Sequence, residues 1–129
     1  MNLETTYDLS SLGIDLELDF KTPLDTEFNL IRDCVLDIYD LEWDFVNSLS
    51  RKDEAVMARN VIIYLCRKYT NLSLKQLGRR FHSRGGKGKD HSTMINSIHC
   101  VDDCLSSDKR FKAQFDIIKK NIEKNYSFK

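Results

Sequence analysis

The residues with the most chemical information lie in one segment, 88–99, whose sequence is GKDHSTMINSIH. It contains a lysine that can bind phosphate, two residues that can each cap a helix (Asp90 and Ser92), and polar side chains that can bond to base edges. A helix N-terminus attracts anions because its first backbone N–H groups have no partner inside the helix. The segment therefore predicts the start of a helix that faces a polyanion.

Apolar residues follow Asp90 at helical spacing. They are Met94, Ile98, Val101 and Leu105. This spacing places them on one face of a helix and leaves His91, Thr93 and Asn96 on the outer face. The recognition helix of a helix-turn-helix contacts bases with side chains of its first turns, so the pattern predicts contact with duplex DNA. Asn96 either pairs with adenine or only faces water.

The charge of the chain is divided between its two parts. The net charge is zero, but residues 1–50 have two basic residues against twelve acidic ones, which gives −10. Residues 51–129 have 18 basic residues against eight acidic ones, which gives +10. The asymmetry favours a nucleic-acid partner for the basic part, although two sets of solvated side chains would give the same totals.

Length and composition restrict the class of protein. A chain of 129 residues with 41% hydrophobic content suits one domain with one core. The four cysteines have no signal peptide before them, which predicts a reduced, cytoplasmic protein. No apolar run reaches the roughly 18 residues of a membrane span, so no membrane partner is expected.

Three patterns could indicate catalysis or a cofactor, and each is incomplete. Residues 85–90, GGKGKD, are similar to a phosphate-binding loop, but an aspartate stands where that loop needs a hydroxyl for Mg²⁺. His99, Cys100 and Cys104 could begin a zinc site, but no second cysteine pair completes four ligands. Residues 90–92, Asp-His-Ser, are adjacent on a helix, where side chains point apart. We expect no enzyme activity, cofactor, metal or nucleotide.

The helices that position this segment are predicted from apolar spacing and capping residues. Residues 1–23 form an acidic arm, either disordered or extended, and residues 24–129 form the domain. A helix is expected from about Thr26, then a short helical turn with Trp43 in the core. Asp53 is expected to cap a long central helix, and Ser73 a short helix through Phe81.

The remaining residues complete an all-α fold. A Gly-rich basic loop, 83–89, precedes the helix that runs from Asp90 to about Ser107. A last helix is expected to point its apolar residues inward, namely Phe111, Phe115, Ile118 and Ile122. No strand pattern occurs in the basic part, so we predict a helix-turn-helix bundle of about five to six helices.

Three stretches of this part resemble the C-terminal duplex-binding domain of the bacterial replication initiator DnaA. Residues 59–74 resemble its long helix and following turn, and residues 75–81 its first helix-turn-helix helix. Residues 88–93, GKDHST, are similar to its G-R-D-H-[TS]-T motif. The resemblance extends over roughly residues 28–124 and implies a helix-turn-helix fold of the Trp-repressor and DnaA type.

The resemblance also implies which residues contact DNA. Those implied at base edges in the major groove are Asp90, His91, Ser92 and Thr93. Those implied at the phosphate backbone are Arg67, Lys68, Ser73, Lys75 and Lys89. The loop 82–89 is longer than in the family, and it could place Arg84 and Lys87 along the same line of phosphates.

We therefore expect a sequence-preferring protein that binds double-stranded DNA and regulates replication initiation or transcription without an ATPase module. Its host would be a bacterium, or a phage or mobile element in one. It could compete with a full-length initiator, load a partner or repress transcription. The alternative is an adaptor whose acidic arm binds a replication protein, since residues 15–20, DLELDF, faintly resemble sliding-clamp hexapeptides. The arm could also shield the basic part from nonspecific DNA.

Overall fold

The computed structural model describes residues 23–48, 52–81 and 88–125, and it contains six helices there. They are α1 (Pro23–Tyr39), α2 (Trp43–Val46), α3 (Asp53–Tyr69), α4 (Leu74–Gly78), α5 (His91–Ser107) and α6 (Lys109–Asn125). No strand occurs among the described residues, which confirms the predicted all-α fold. Residues 1–22 of the arm lie outside the described residues, as do Arg84 and Lys87, so what was predicted for them stays a prediction.

The first helix begins three residues earlier than its apolar pattern indicates. α1 starts at Pro23 rather than near Thr26. Proline is well suited to the first helical position, because its fixed φ matches the helix and its missing N–H would have no partner there. Pro23, the last residue of the predicted acidic arm, therefore belongs to α1.

α3 is the central helix of the bundle, as predicted, and it packs against α1, α2, α4 and α5. Its buried side chains are Ala55, Ala58, Asn60, Val61, Ile62, Ile63, Leu65 and Cys66. The prediction that Asp53 caps this helix was wrong: Lys52 occupies the cap position without a side-chain capping bond, and Asp53 is the first helical residue. An acidic side chain there is still favourable, because it interacts with the positive end of the helix dipole.

An aromatic cluster joins α1, α2 and the residues after α4. The rings of Phe28, Trp43 and Phe81 meet edge to face, with centroids 5.7 to 6.1 Å apart. Arg80 lies over the Phe28 ring at 5.6 Å. This arrangement confirms Trp43 as a core residue, and it anchors the chain directly after α4 to the rest of the bundle.

The last helix covers part of the core formed by α1 and α5. α6 packs against α1 and α5. Its four predicted inward residues are all buried, namely Phe111, Phe115, Ile118 and Ile122. None of the helices in the described part of the chain is long and apolar enough to cross a membrane.

Candidate nucleic-acid interface

α4 begins with a reciprocal pair of hydrogen bonds. The Gln76 backbone N–H donates to Ser73 Oγ at 3.1 Å, and the Ser73 N–H donates to Gln76 Oε1 at 2.9 Å. This capping box satisfies two N–H groups that the helix itself cannot, and it confirms Ser73 as the cap. The helix therefore starts at a defined residue, Leu74, directly before Lys75.

α4 ends at Gly78, three residues before the predicted end at Phe81. The Arg80 N–H donates to the Leu77 carbonyl at 3.1 Å, and the Phe81 N–H donates to the Gly78 carbonyl at 3.2 Å. Such three-residue spacing tightens the last turn instead of continuing the α-helix. The aromatic cluster accounts for the early end, because Phe81 must turn away from the helix axis to reach Phe28.

The start of α5 is capped by Asp90, as one of the two predicted caps. Asp90 Oδ1 accepts a hydrogen bond from the Thr93 backbone N–H at 2.9 Å. Bonds from the Thr93 backbone and hydroxyl lower the pKa of Asp90 below its ordinary value, because they stabilise the carboxylate. The alternative cap, Ser92, is instead the second residue of the helix. The Asp90 carboxylate is therefore stabilised at the helix start.

Two glycines bring the end of α4 directly against the residues before α5. The Lys89 N–H donates to the Gly78 carbonyl at 2.9 Å. A Cβ on Gly78 would lie 2.1 Å from the Lys89 carbonyl oxygen, so no side chain fits there. Gly88 has φ +85°, in the left-handed region that glycine tolerates best. This backbone contact sets the distance between α4 and α5 whatever the length of loop 82–87.

A cleft of about 710 Å³ lies between α4 and the start of α5. Its lining residues are Lys75, Arg79, Gly88, Lys89, Asp90 and His91. It thus brings together four of the predicted site residues, three of them next to one another in sequence. Sequence reasoning missed Arg79, although its spacing of four from Lys75 places both cations on one side of a helix. The cleft is cationic and opens beside the α5 N-terminus.

The first turns of α5 present polar side chains outward. His91 and Asn96 are exposed, as predicted, and Ser92 is exposed too. Thr93 is half-buried, since it faces residues of α3, and its hydroxyl bonds to Asp90. On the opposite face, Met94 and Val101 are buried, and Ile98 and Leu105 pack against the core. The predicted division of α5 into an inner and an outer face is confirmed, except that Thr93 was predicted on the outer face and is half-buried.

Arg67 and Lys68 lie exposed in the last turn of α3. The Arg67 guanidinium donates to the Leu72 carbonyl at 2.8 Å and so bridges the turn between α3 and α4. This bond holds a positive charge beside Ser73, the first residue of the capping box. The predicted phosphate contacts of Arg67, Lys68 and Ser73 stay predictions, and the structure places all three at one corner of the α3–α4 turn.

Lys89 has a cationic neighbour that the sequence did not reveal. Partial burial lowers the pKa of Lys89, the charge of Arg59 lowers it further, and Asp90 opposes both effects. Arg59 is half-buried in α3 and donates to the carbonyls of Val46 and Ser48 at 2.8 and 3.3 Å. In the sequence, Arg59 lies between the apolar positions of α3. That placement was the one available indication that its side chain packs within the protein rather than extending into solvent.

The candidate zinc residues do not form a metal centre. His99 is exposed and Cys100 and Cys104 are half-buried on α5. Across the residues that the structure describes, no group of three or more His, Cys, Asp or Glu side chains could hold a metal ion. The interface is therefore built from cations, hydroxyls, amides and one capped carboxylate.

Known proteins match this part of the chain. The family described as the bacterial dnaA protein helix-turn-helix matches residues 28–101. The chain is 29% identical over 98 residues to the chromosomal replication initiator protein DnaA of Flavobacterium psychrophilum, covering 76% of this chain and 20% of that protein. It is 33% identical over 93 residues to the DnaA of Geobacter metallireducens, covering 72% and 20%.

A similar match is found to the DnaA of Bacteroides thetaiotaomicron, with 33% identity over 86 residues, 67% of this chain and 17% of that protein. The chain spans about a fifth of the length of the curated relatives it matches. The matched residues 28–101 make up more than half of the chain and include α3, α4, the cleft and the capped start of α5. The chain belongs to the bacterial DnaA helix-turn-helix family.

Proposed function

We propose that this chain binds double-stranded DNA with sequence preference through α4 and the start of α5, and that it regulates replication initiation or transcription in a bacterial host. One observation carries the proposal. Three cations, Lys75, Arg79 and Lys89, surround the cleft from which the capped N-terminus of α5 emerges. Phosphate contacts need such cations, and base contacts need the exposed polar residues beside them.

The two kinds of contact fall to different side chains. Lys75, Arg79 and Lys89 are the proposed phosphate ligands, since a cation next to a helix N-terminus suits an anionic oxygen. His91, Ser92 and Asn96 are exposed on successive turns and are the proposed base contacts.

The remaining predicted residues support those contacts. Thr93 and Asp90 hold the helix start together, and the Asp90 carboxylate is exposed, so it is the proposed acceptor for a cytosine amino group. Arg67, Lys68 and Ser73 would extend the phosphate contacts to the other end of α4.

The biological role is inferred from the relatives. They are named chromosomal replication initiators, and this chain matches about a fifth of their length. Binding the same kind of DNA site would let the chain compete with an initiator, load a partner there or repress a nearby promoter. None of these uses requires ATP hydrolysis by the residues described here.

Selection of bound fragments from a pool of random duplexes tests the proposal. We expect the enriched fragments to share one short sequence motif. We expect His91→Ala, with its helicity checked, to reduce that enrichment much more than it reduces total binding. Equal recovery of all sequences by the folded wild-type chain would contradict sequence preference. It would favour the adaptor hypothesis, in which the acidic arm binds a replication protein.

A further inference from the structure

One face of α6 surrounds an exposed apolar residue with positive charge. Ile117 is 53% exposed, and no other large apolar side chain among the described residues is exposed. Arg110 and Lys124 lie seven residues before and after it, and Lys120 lies three residues after it. This spacing places the four residues on one side of the helix, and all four are exposed. We call Arg110, Ile117, Lys120 and Lys124 the Ile117 face.

The cations of the Ile117 face have no acidic partner in the described part of the chain. Arg110, Lys120 and Lys124 take part in no ion pair there, whereas Lys112 pairs with Asp116 on the same helix. α6 has six basic residues against two acidic ones, which gives +4. Like charges four residues apart, such as Lys120 and Lys124, destabilise a helix. A partner with negative charge would remove this repulsion.

The acidic arm has the charge that complements this face. Residues 1–22 contain five acidic residues and Lys21, which gives −4, equal and opposite to the charge of α6. Three of the acids alternate with apolar residues in 15–20, DLELDF. Acidic groups complement the cations, and apolar side chains complement the exposed isoleucine. A tethered segment also has a local concentration on the order of millimolar, which favours it over a free partner.

The start of α1 lies beside the last turns of α6. Burial raises the pKa of Cys66 on α3, and the charge of Glu27 also raises it, so this early residue of α1 is near Cys66. One turn further along α3, the Tyr69 hydroxyl donates to the Glu123 carboxylate near the end of α6. α1 also packs against α6. The chain before α1 therefore leaves the domain beside the C-terminal half of α6.

The length of the chain permits the arm to reach the whole face. Phe20 is three residues from Pro23, so it can lie no more than about 11 Å away. Six extended residues span at most about 20 Å. The distance along α6 from Arg110 to Lys124 is about 21 Å, at a rise of about 1.5 Å per residue. Residues 15–20 are therefore near enough and long enough to follow the Ile117 face.

We propose that residues 15–20 of the arm bind the Ile117 face of the same chain. Asp15, Glu17 and Asp19 pair with its cations, and the apolar residues of the segment cover Ile117. The bound segment neutralises the most basic of the described helices, so α6 does not compete with the start of α5 for phosphates. The contact itself does not depend on the proposed DNA binding, because both of its partners belong to this chain.

Two full-length double variants with the same change in charge test the contact. Asp15→Asn/Asp19→Asn neutralises the segment, and Glu4→Gln/Asp8→Asn removes the same charge elsewhere in the arm. The readout, without DNA, is the NMR signal of the Ile117 δ1 methyl group together with the backbone amides of α6. We expect the first variant to shift these signals and the second to leave them at their wild-type positions. Equal shifts in both variants, or no shift in either, would overturn the contact.

Reversal of the charges tests which residues pair. Lys120→Glu/Lys124→Glu should shift the Ile117 methyl signal, and adding Asp15→Lys/Asp19→Lys should move it back toward the wild-type position. Both lysines are exposed, so circular dichroism should show unchanged helicity. A signal that does not return in the combined variant would overturn the pairing. A signal that changes on dilution of the wild-type chain would assign the face to the arm of a second copy and would overturn the contact within one chain.

Binding to random duplexes measures the consequence. Asp15→Asn/Asp19→Asn should raise that affinity about threefold at low salt, because exposed ion pairs are weak and the freed cations can bind phosphate. The gain should disappear when Lys120→Gln/Lys124→Gln is added. A gain that persists in the combined variant would place the arm on other cations and overturn the proposal. Failure of the proposed function is a separate result, since it would appear as wild-type binding without sequence preference and would leave the NMR signals without DNA unchanged.

Discussion

α5 and α6 each have 17 residues and an exposed polar face, but their charges differ greatly. α5 contains no Lys or Arg. α6 contains six, namely Lys109, Arg110, Lys112, Lys119, Lys120 and Lys124. A search for positive charge alone would place the DNA on α6.

The residues around the two helices instead favour α5 as the DNA-binding helix. The cations of α6 are on its own outer face, and one of them, Lys112, pairs with Asp116 at 3.2 Å. α5 takes its cations from neighbouring segments, Lys75 and Arg79 on α4 and Lys89 before the cap, and they surround its polar first turns. DNA recognition requires phosphate ligands and base-contacting groups at one place, and only the start of α5 combines them among the described helices.

The largest expected effect follows from removing the close contact between α4 and α5. Gly78→Ala would place a Cβ 2.1 Å from the Lys89 carbonyl oxygen, so the two segments must separate. We expect a loss of about 1–3 kcal/mol in the free energy of unfolding, as for other overpacked sites, together with loss of site-specific binding. Urea denaturation and DNA titration measure both. Ala113→Ser on the exposed face of α6 is the control, and wild-type behaviour of Gly78→Ala would refute the contact.

Removal of one base contact should weaken binding to the preferred duplex without lowering the stability of the fold, so its overall effect is smaller. His91→Ala removes an exposed side chain from the first turn of α5, so it should weaken binding to the preferred duplex by about 1–3 kcal/mol and hardly change binding to random DNA. Titrations on the two duplexes, with helicity followed by circular dichroism, test this. Equal losses on both duplexes would mean that His91 does not contribute to sequence preference.

A phosphate contact should behave differently from a base contact. Lys89→Ala should weaken binding to both duplexes and flatten the slope of log K against log salt by about one unit. Lys120→Ala on α6 should leave the slope unchanged. Titrations at four or more salt concentrations distinguish the two lysines, and an equal change for both would remove the contrast between the helices.

The smallest expected effect concerns the acidic arm. Removing residues 1–22 deletes five acidic residues and Lys21, which raises the net charge by four. If the arm competes with phosphates for the cations, affinity for random DNA should rise a few-fold at low salt and return to the full-length value as salt screens the charges. Filter binding on random duplexes measures this. Unchanged or weaker binding would argue against shielding and favour a protein partner for the arm.

Local sequence was sufficient to predict where α5 begins. Capping chemistry restricted the cap to Asp90 or Ser92, and apolar spacing predicted the inner face of α5 and the outward His91 and Asn96. The features that the sequence did not predict depend on contacts between residues that are far apart in the chain. α4 ends early because Phe81 joins an aromatic cluster with residues of α1 and α2.

The missed residues of the site have the same explanation. Arg59 lies 30 residues before Lys89 in the chain, and only the packing of α3 against α5 brings the two charges together. The need for glycine at position 78 depends on a backbone oxygen from the far side of loop 82–87. Neither relation is visible in a pattern that considers neighbouring residues alone.

The central claim is that DNA lies on the start of α5 and not on the more basic α6. Mapping backbone amide shifts of the ¹⁵N-labelled chain on adding the enriched duplex tests it most directly. We expect the largest shifts in residues 75–79 and 89–97, with small ones along the outer face of α6. Shifts concentrated at Lys109, Lys120 and Lys124, with residues 89–97 unmoved, would contradict the account.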